Sequence, residues 1–183
     1  MPERTTYLLI DGENIDATLG VSILDRRPEP QERPRWNKVL DFAERAWQQP
    51  VKGLFFLAVS HELPASFVQA LIAMGYRPVP LSGEGKVVDI AIQKTADALA
   101  ARADDVMLVS HDRDFALQMQ RLAEDGARRV GIVGFGEFMA GDLRDVDGVE
   151  FFDLEYDVAA FTSRLPRVRI IPIDEFDPLE FLD

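Results

Sequence analysis

Cysteine is absent from this 183-residue chain, and histidine occurs only at His61 and His111. Disulfides and thiolate zinc sites are thereby excluded, and two imidazoles leave little for a histidine-rich centre. Any metal here is expected to be oxygen-bound, which suggests magnesium or manganese. Long apolar runs are missing too: none spans a bilayer. The opening Met-Pro-Glu-Arg-Thr-Thr has neither the basic stretch nor the apolar core of a signal peptide, so a cytoplasmic location is expected. Basic charge is also scarce. Against 32 Asp and Glu stand 20 Lys and Arg, a net charge of −12. Because affinity for phosphate backbones rests largely on Lys and Arg, this balance argues against tight nonspecific binding to nucleic acid. The excess is unevenly placed, since the last ten residues, Asp174 to Asp183, hold five acids and no base.

What is present fits one domain. A hydrophobic content of 47% over this length can bury a core without staples, and a second full domain would be hard to accommodate. We place the domain at residues 1–160 and a tail at 161–183. Strand and helix signals alternate: strands at 6–10, 53–59, 77–80, 105–110 and 129–133, and helices at 35–48, 64–74 (closed by Gly75), 88–102 and 115–124. Such alternation predicts an α/β fold with a parallel sheet covered by helices on both faces.

Two stretches break the pattern. Gly20 to Pro34 contains Pro28, Pro30 and Pro34 with Arg26, Arg27 and Arg33, and reads as a mobile loop near the end of the first strand. Its arginines either meet a polyanion or are balanced by Asp25, Glu29 and Glu32. In the tail, Val168 to Ile173 is expected to add an edge strand with Pro172 where no ladder donor is needed. Phe176, Leu179 and Leu182 then recur within an acidic segment. That pattern suits a peptide packed on its own domain, or one docked on a protein partner.

Three apolar runs stop on aspartate. Tyr7-Leu-Leu-Ile10 meets Asp11-Gly-Glu-Asn14, Val87-Val88 precedes Asp89, and Val106-Met-Leu-Val109 meets Ser110-His-Asp-Arg-Asp114. In an open parallel sheet the ligand crevice lies outside the carboxyl ends of the strands, so these acids can converge. Crowded carboxylates cost free energy unless a cation neutralises them, and a divalent-metal site is therefore expected.

Each residue also has a plainer reading. Asp11 could open a turn, but no strand follows directly. Asn14 reads first as a cap and otherwise as an amide for a ligand or phosphate, while Glu13 reads as solvated. The helix after Phe115 needs one capping oxygen and Asp112 and Asp114 supply two acids, so one is spare. Ser110 bonds backbone or orients a carboxylate. His111 reads first as a surface residue and otherwise as a late proton carrier, and Arg113 meets solvent or a phosphate. Asp89 suits the first turn of a helix electrostatically, yet it shares a polar face with Gln93 and Asp97 opposite Val88, Ile92, Ala96 and Leu99. Asp97 is expected to pair with Lys94. Gly83-Glu-Gly-Lys86 is no Walker motif, because the spacing is wrong and Val87 follows the lysine. Lys86 either reaches a phosphate or is an ordinary exposed lysine.

The segments at 7–14, 86–92 and 108–115, in this order and spacing, resemble the NYN family of the PIN-like nuclease superfamily over roughly residues 5–155. The resemblance implies a three-layer PIN-like (Rossmannoid) fold with strand order 3-2-1-4-5, and a Mg²⁺- or Mn²⁺-dependent ribonuclease acting on RNA. By motif position Asp11, Asp89, Asp112 and Asp114 would be the catalytic, metal-binding acids, with Asn14 as polar helper. Asp11 and Asp112 would bind directly, and Asp89 and Asp114 directly or through water. Lys86 or Arg113 would steady the scissile phosphate, and with Asn14 and Ser110 they would form the substrate-binding set. One departure is His111, where the family often carries a small residue, and it is expected to narrow the crevice or alter substrate choice. The competing readings are an RNA- or protein-binding scaffold with weak or no turnover, and a phosphoacceptor or phosphatase domain. The latter would use an Asp-x-Asp pair at the first strand that this chain lacks. A homodimer is left open, as is a tail that restrains activity by covering the site mouth.

Overall fold

The computed structural model describes residues 3–182. Met1, Pro2 and the tail's last acid, Asp183, lie outside the described residues. Six parallel strands form one sheet in the order β3-β2-β1-β4-β5-β6: β1 (Thr6–Asp11), β2 (Val51–Ala58), β3 (Arg77–Leu81), β4 (Asp105–Val109), β5 (Val130–Gly134) and β6 (Val149–Asp153). The expected order holds for the first five, and β6 adds a strand beyond it. Helices α1 (Gly12–Ala17), α2 (Trp36–Trp47), α3 (Ala65–Met74), α4 (Val87–Ala100), α5 (Ala116–Glu124) and the short α6 (Gly141–Arg144) complete the layers.

The period-2 alternation of a strand decides what each face receives. Leu8 and Ile10 of β1, with Met107 and Val109 of β4, pack against Ile15 of α1 and Val39 of α2. Leu9 of β1, with Val106 and Leu108 of β4, packs against Ile92 of α4 and Met119 of α5. These side chains are fully buried, each contributing about 1.5–3 kcal/mol relative to exposure. Asp11 follows Leu9 by two residues and so falls on the α4 side, just past the apolar part of its strand. The central strands are buried on both faces, which explains why they read as continuous apolar runs rather than alternating ones.

At the opposite end of the sheet one side chain ties two helices down. The buried Arg128 guanidinium donates to the carbonyls of Leu99 and Ala100 at the end of α4, of Arg102 just past it, and of Leu122 in the last turn of α5. Terminal helix carbonyls lack intrahelical partners, and a cation there also suits the macrodipole.

Two expectations fail. Val168 to Ile173 forms no strand, because β6 already occupies that edge of the sheet. Val168 and Ile170 are instead 93% and 99% exposed, and only short 3-10 turns occur at Ile173–Glu175 and Pro178–Glu180. The segment after α1 is not a loop from Gly20 onward either, since a π-helical turn at Thr18–Leu24 prolongs the helix. Beyond it Arg26 pairs with Glu32 and Arg33 with Asp16, so those two arginines are balanced by acids. Arg27 has no ion pair among the described residues. No helix is long and apolar enough to cross a membrane among the described residues.

Candidate metal centre

The strand order turns back on itself between β1 and β4, since the chain runs outward to β3 on one side and to β6 on the other. Such a switch point leaves a crevice beyond the carboxyl ends of the two central strands. A cavity of about 320 Å³ opens there, lined by Asp11, Glu13, Asn14, Lys86, Asp89 and Asp112 among others. Acids distant in sequence thus meet in one place.

Asp11 is nearly buried, at 3% exposure. One carboxylate oxygen accepts from Ser110 Oγ at 2.9 Å, and the other caps α1 by accepting from the Asn14 backbone N–H at 3.4 Å. Burial, reinforced by Asp89 and Asp112, outweighs these bonds and pushes its pKa up to about 6. Asp89, in the first turn of α4, is raised as well, by burial first and then by Asp112. Asp112 caps the turn into α5 by accepting from the Asp114 N–H at 2.9 Å, which leaves Asp114 as the spare acid. Ligand oxygens of Asp89, Asp112 and Asp114 lie within 4.8 Å of one another. Asp11 falls outside that tight group but lines the same crevice as Asp89 and Asp112.

An all-carboxylate set, with the pKa values of Asp11 and Asp89 raised, fits a hard divalent cation bound through oxygen. Ligating carboxylates must be ionised, so metal affinity is linked to pH. Because the Asp11 pKa is raised to about 6, affinity for Mn²⁺ should climb as pH rises toward 6 and level off above it. The slope from Asp11 alone is about tenfold per pH unit on the acid side. Calorimetric Mn²⁺ titrations between pH 5 and 8 measure this, and a flat profile would contradict it.

Lys86 reaches into the group, with its ammonium 3.1 Å from Asp114 and 3.7 Å from Asp89. Gln93 of α4 donates to the Asp114 carbonyl at 3.1 Å, pinning the acidic loop to the helix. Arg113 is exposed and has no ion pair among the described residues. Asp97 pairs with Arg121 of α5 at 3.7 Å rather than with Lys94.

Three residues differ from the plain reading. His111 is buried, not on the surface. Its Nε2 accepts from the Phe135 N–H at 2.7 Å, so the proton sits on Nδ1, which points at Asn14 Oδ1 at 2.9 Å. Burial brings its pKa down to about 4, which favours the neutral ring at physiological pH, and both ring nitrogens are already in hydrogen bonds. It does not narrow the crevice, which it does not line. Asn14 is not the cap, since Asp11 is. Its Oδ1 accepts from both the His111 backbone and ring, which leaves its amide N–H groups for the crevice. Glu13 is exposed as expected, yet it lines the crevice and accepts from the Ala58 N–H at 3.3 Å.

Planar groups back this arrangement. His111 stacks on Phe135 at 5.6 Å, and the Arg167 guanidinium lies between Phe135 and Tyr156 at 4.8 and 4.7 Å. Gly134 makes room for the imidazole, because a Cβ there would sit 2.7 Å from His111 Nε2. Among the described residues, the tail beyond Arg167 contributes none to the crevice lining.

A family model for the NYN domain matches residues 5–155. The chain belongs to the NYN domain family. NYN domains are generally nucleases that use divalent metals, and the acidic cluster of this NYN domain is the kind of site that could hold one. A crystal structure of a protein of unknown function from Vibrio parahaemolyticus is similar with a TM-score of 0.68, over 85% of this chain and 95% of that one, at 21% identity. At that identity the likeness shows the fold alone. No curated protein matches the chain.

Proposed function

We propose that this NYN domain is a Mg²⁺- or Mn²⁺-dependent ribonuclease that hydrolyses phosphodiester bonds of RNA. The observation that carries the reading is the convergence of Asp11, Asp89 and Asp112 on one crevice at the switch point. Asp11, Asp89, Asp112 and Asp114 would hold the cation, which when bound supplies an activated water and offsets charge at the reacting phosphate. Ser110 orients the Asp11 carboxylate. Asn14 is held by His111 with its amide free to donate to a phosphate oxygen. Lys86 is exposed enough to swing from Asp114 to a phosphate, and the exposed Arg113, which has no ion pair among the described residues, directly precedes Asp114 in the chain.

One feature favours a second reading, a binding scaffold with little turnover. The Lys86 ammonium already offsets part of the cluster's charge, as a built-in counter-ion would. A cleavage assay separates the two. Wild-type protein should cut a single-stranded oligoribonucleotide with Mg²⁺ or Mn²⁺ and stop in excess EDTA, while Asp112→Asn loses activity on the order of 10²–10³-fold with its circular dichroism intact. Wild-type binding without cutting, at any metal concentration, would support the scaffold instead.

A further inference from the structure

Beside the acidic crevice, and sharing Glu13 as a wall with it, lies a second cavity of about 490 Å³. Its character is different. Trp36, Phe55, Leu57, Pro64 and Phe67 supply apolar and aromatic lining, and Arg27 and Arg33 stand among the lining residues with them. Phe55 is the hub: Trp36 and Phe67 meet it edge-on with centroids 5.0 and 5.4 Å away. Gly12 makes the close approach of backbone to this ring possible, because a Cβ there would sit 2.7 Å from Phe55 Cζ. Phe67 remains 37% exposed, so aromatic surface is left for a ligand. Arg33 is held by Asp16 at 2.6 Å, whereas Arg27 has no ion pair among the described residues.

We infer that this cavity receives a nucleobase of a single-stranded RNA whose neighbouring phosphate lies in the acidic crevice. The inference rests on the nuclease reading and adds the source of substrate affinity. Three observations support it together. The cavity adjoins the acids through Glu13, so one strand can cross both. Its combination of aromatic wall and guanidinium matches a base with its attached phosphate, since bases stack on aromatic faces and arginine binds phosphate. Finally, a chain with net charge −12 cannot draw much affinity from phosphate contacts, and stacking supplies affinity that does not depend on net charge. A base must be unstacked from its neighbours to enter, which selects single strands and splayed loops over duplex.

The test compares wild type, Phe67→Ala and Arg27→Ala by fluorescence anisotropy with a short dye-labelled oligoribonucleotide, in excess EDTA to prevent cutting. A strand of equal length built of abasic nucleotides is measured in parallel. Wild type should prefer the intact strand. Phe67→Ala should weaken intact-strand binding by about tenfold, within the range found for one stacked base, and bind the two strands alike. Arg27→Ala should lower the slope of log affinity against log salt by about 0.7, as for one phosphate contact on a single strand. Mn²⁺ titration of both variants should match wild type, showing the acids intact.

Equal affinity of wild type for intact and abasic strands overturns the inference, as does unchanged discrimination in Phe67→Ala. So does uptake of an apolar dye in the cavity that RNA does not displace. Base-dependent binding without metal-stimulated cleavage keeps the inference and removes the nuclease reading. Cleavage without base dependence does the reverse.

Discussion

Asp11→Asn should melt higher than the wild type in the absence of metal while losing its metal response. The carboxylate is buried and its pKa is raised from 3.8 to about 6, which amounts to about 3 kcal/mol of differential interaction between its two protonation states. The sign follows from linkage. A raised folded-state pKa means the native protein binds more protons than the unfolded chain between about pH 4 and 6, so wild-type stability falls as pH rises through that window and stays low above it. Asparagine cannot ionise and escapes the loss. Its Oδ1 still accepts from the Asn14 N–H, and Ser110 can turn its hydroxyl to accept from the new amide. At neutral pH the variant should gain up to about 3 kcal/mol, or roughly 6–12 °C in melting temperature for a chain of this size. Below pH 4 the two proteins should melt together. Adding Mn²⁺ should raise the wild-type melting temperature and leave that of the variant nearly unchanged, since a ligand stabilises only the state that binds it. Cleavage should fall on the order of 10²–10³-fold. A variant that melts lower at pH 7 would show that Asp11 is structural rather than kept for a cation at a cost in stability.

Arg167→Met should be the most destabilising single change outside the apolar core. The guanidinium is 2% exposed and bonds Asp153 at 2.8 Å, Glu155 at 3.0 Å and Glu137 at 2.5 Å. Asp153 and Glu137 are held below the usual carboxylate range with Arg167 as the principal lowering influence against their burial. Methionine fills much of the volume but leaves these acids together without a cation. Removing one partner of a buried pair costs about 3–5 kcal/mol, measured by urea unfolding at pH 7. Lysine should recover only part of the loss, because it lacks the planar fork that reaches several acids and stacks on rings. The deficit should shrink on acidification, as protonation relieves repulsion in the variant while wild type loses its ion pairs. A loss below 1 kcal/mol would mean that solvent reaches the cluster.

How far the fold could be read from residues depended on whether a signal was local. Strands β1 to β5 and helices α2 to α5 each carry their own apolar period and stops, so they appear close to where the periodicity placed them. The meeting of Asp11, Asp89 and Asp112 was legible because each acid ends or follows an apolar run. His111 was not, because its burial depends on a ring and a glycine more than 20 residues ahead, Phe135 and Gly134. Likewise, Asn14 looked like a cap only because the oxygen that caps α1 belongs to the strand before it. The strand Val149–Asp153 was missed in favour of Val168 to Ile173, which has the stronger β-branched composition. The preceding β5 and its short connection leave the edge to the nearer segment. Leu165 and Arg167 then fasten the chain against the domain before the exposed part of the tail begins.

The reversal of strand order between β1 and β4 has a wider consequence. Because the crevice arises from the path of the chain, the loops around it carry little of the weight of the core. The segments at 25–35 and 59–64 lie mostly outside the core, so changes in their length or composition should leave the acids in place. A domain built on this sheet can therefore change what its loops present without moving its acidic crevice.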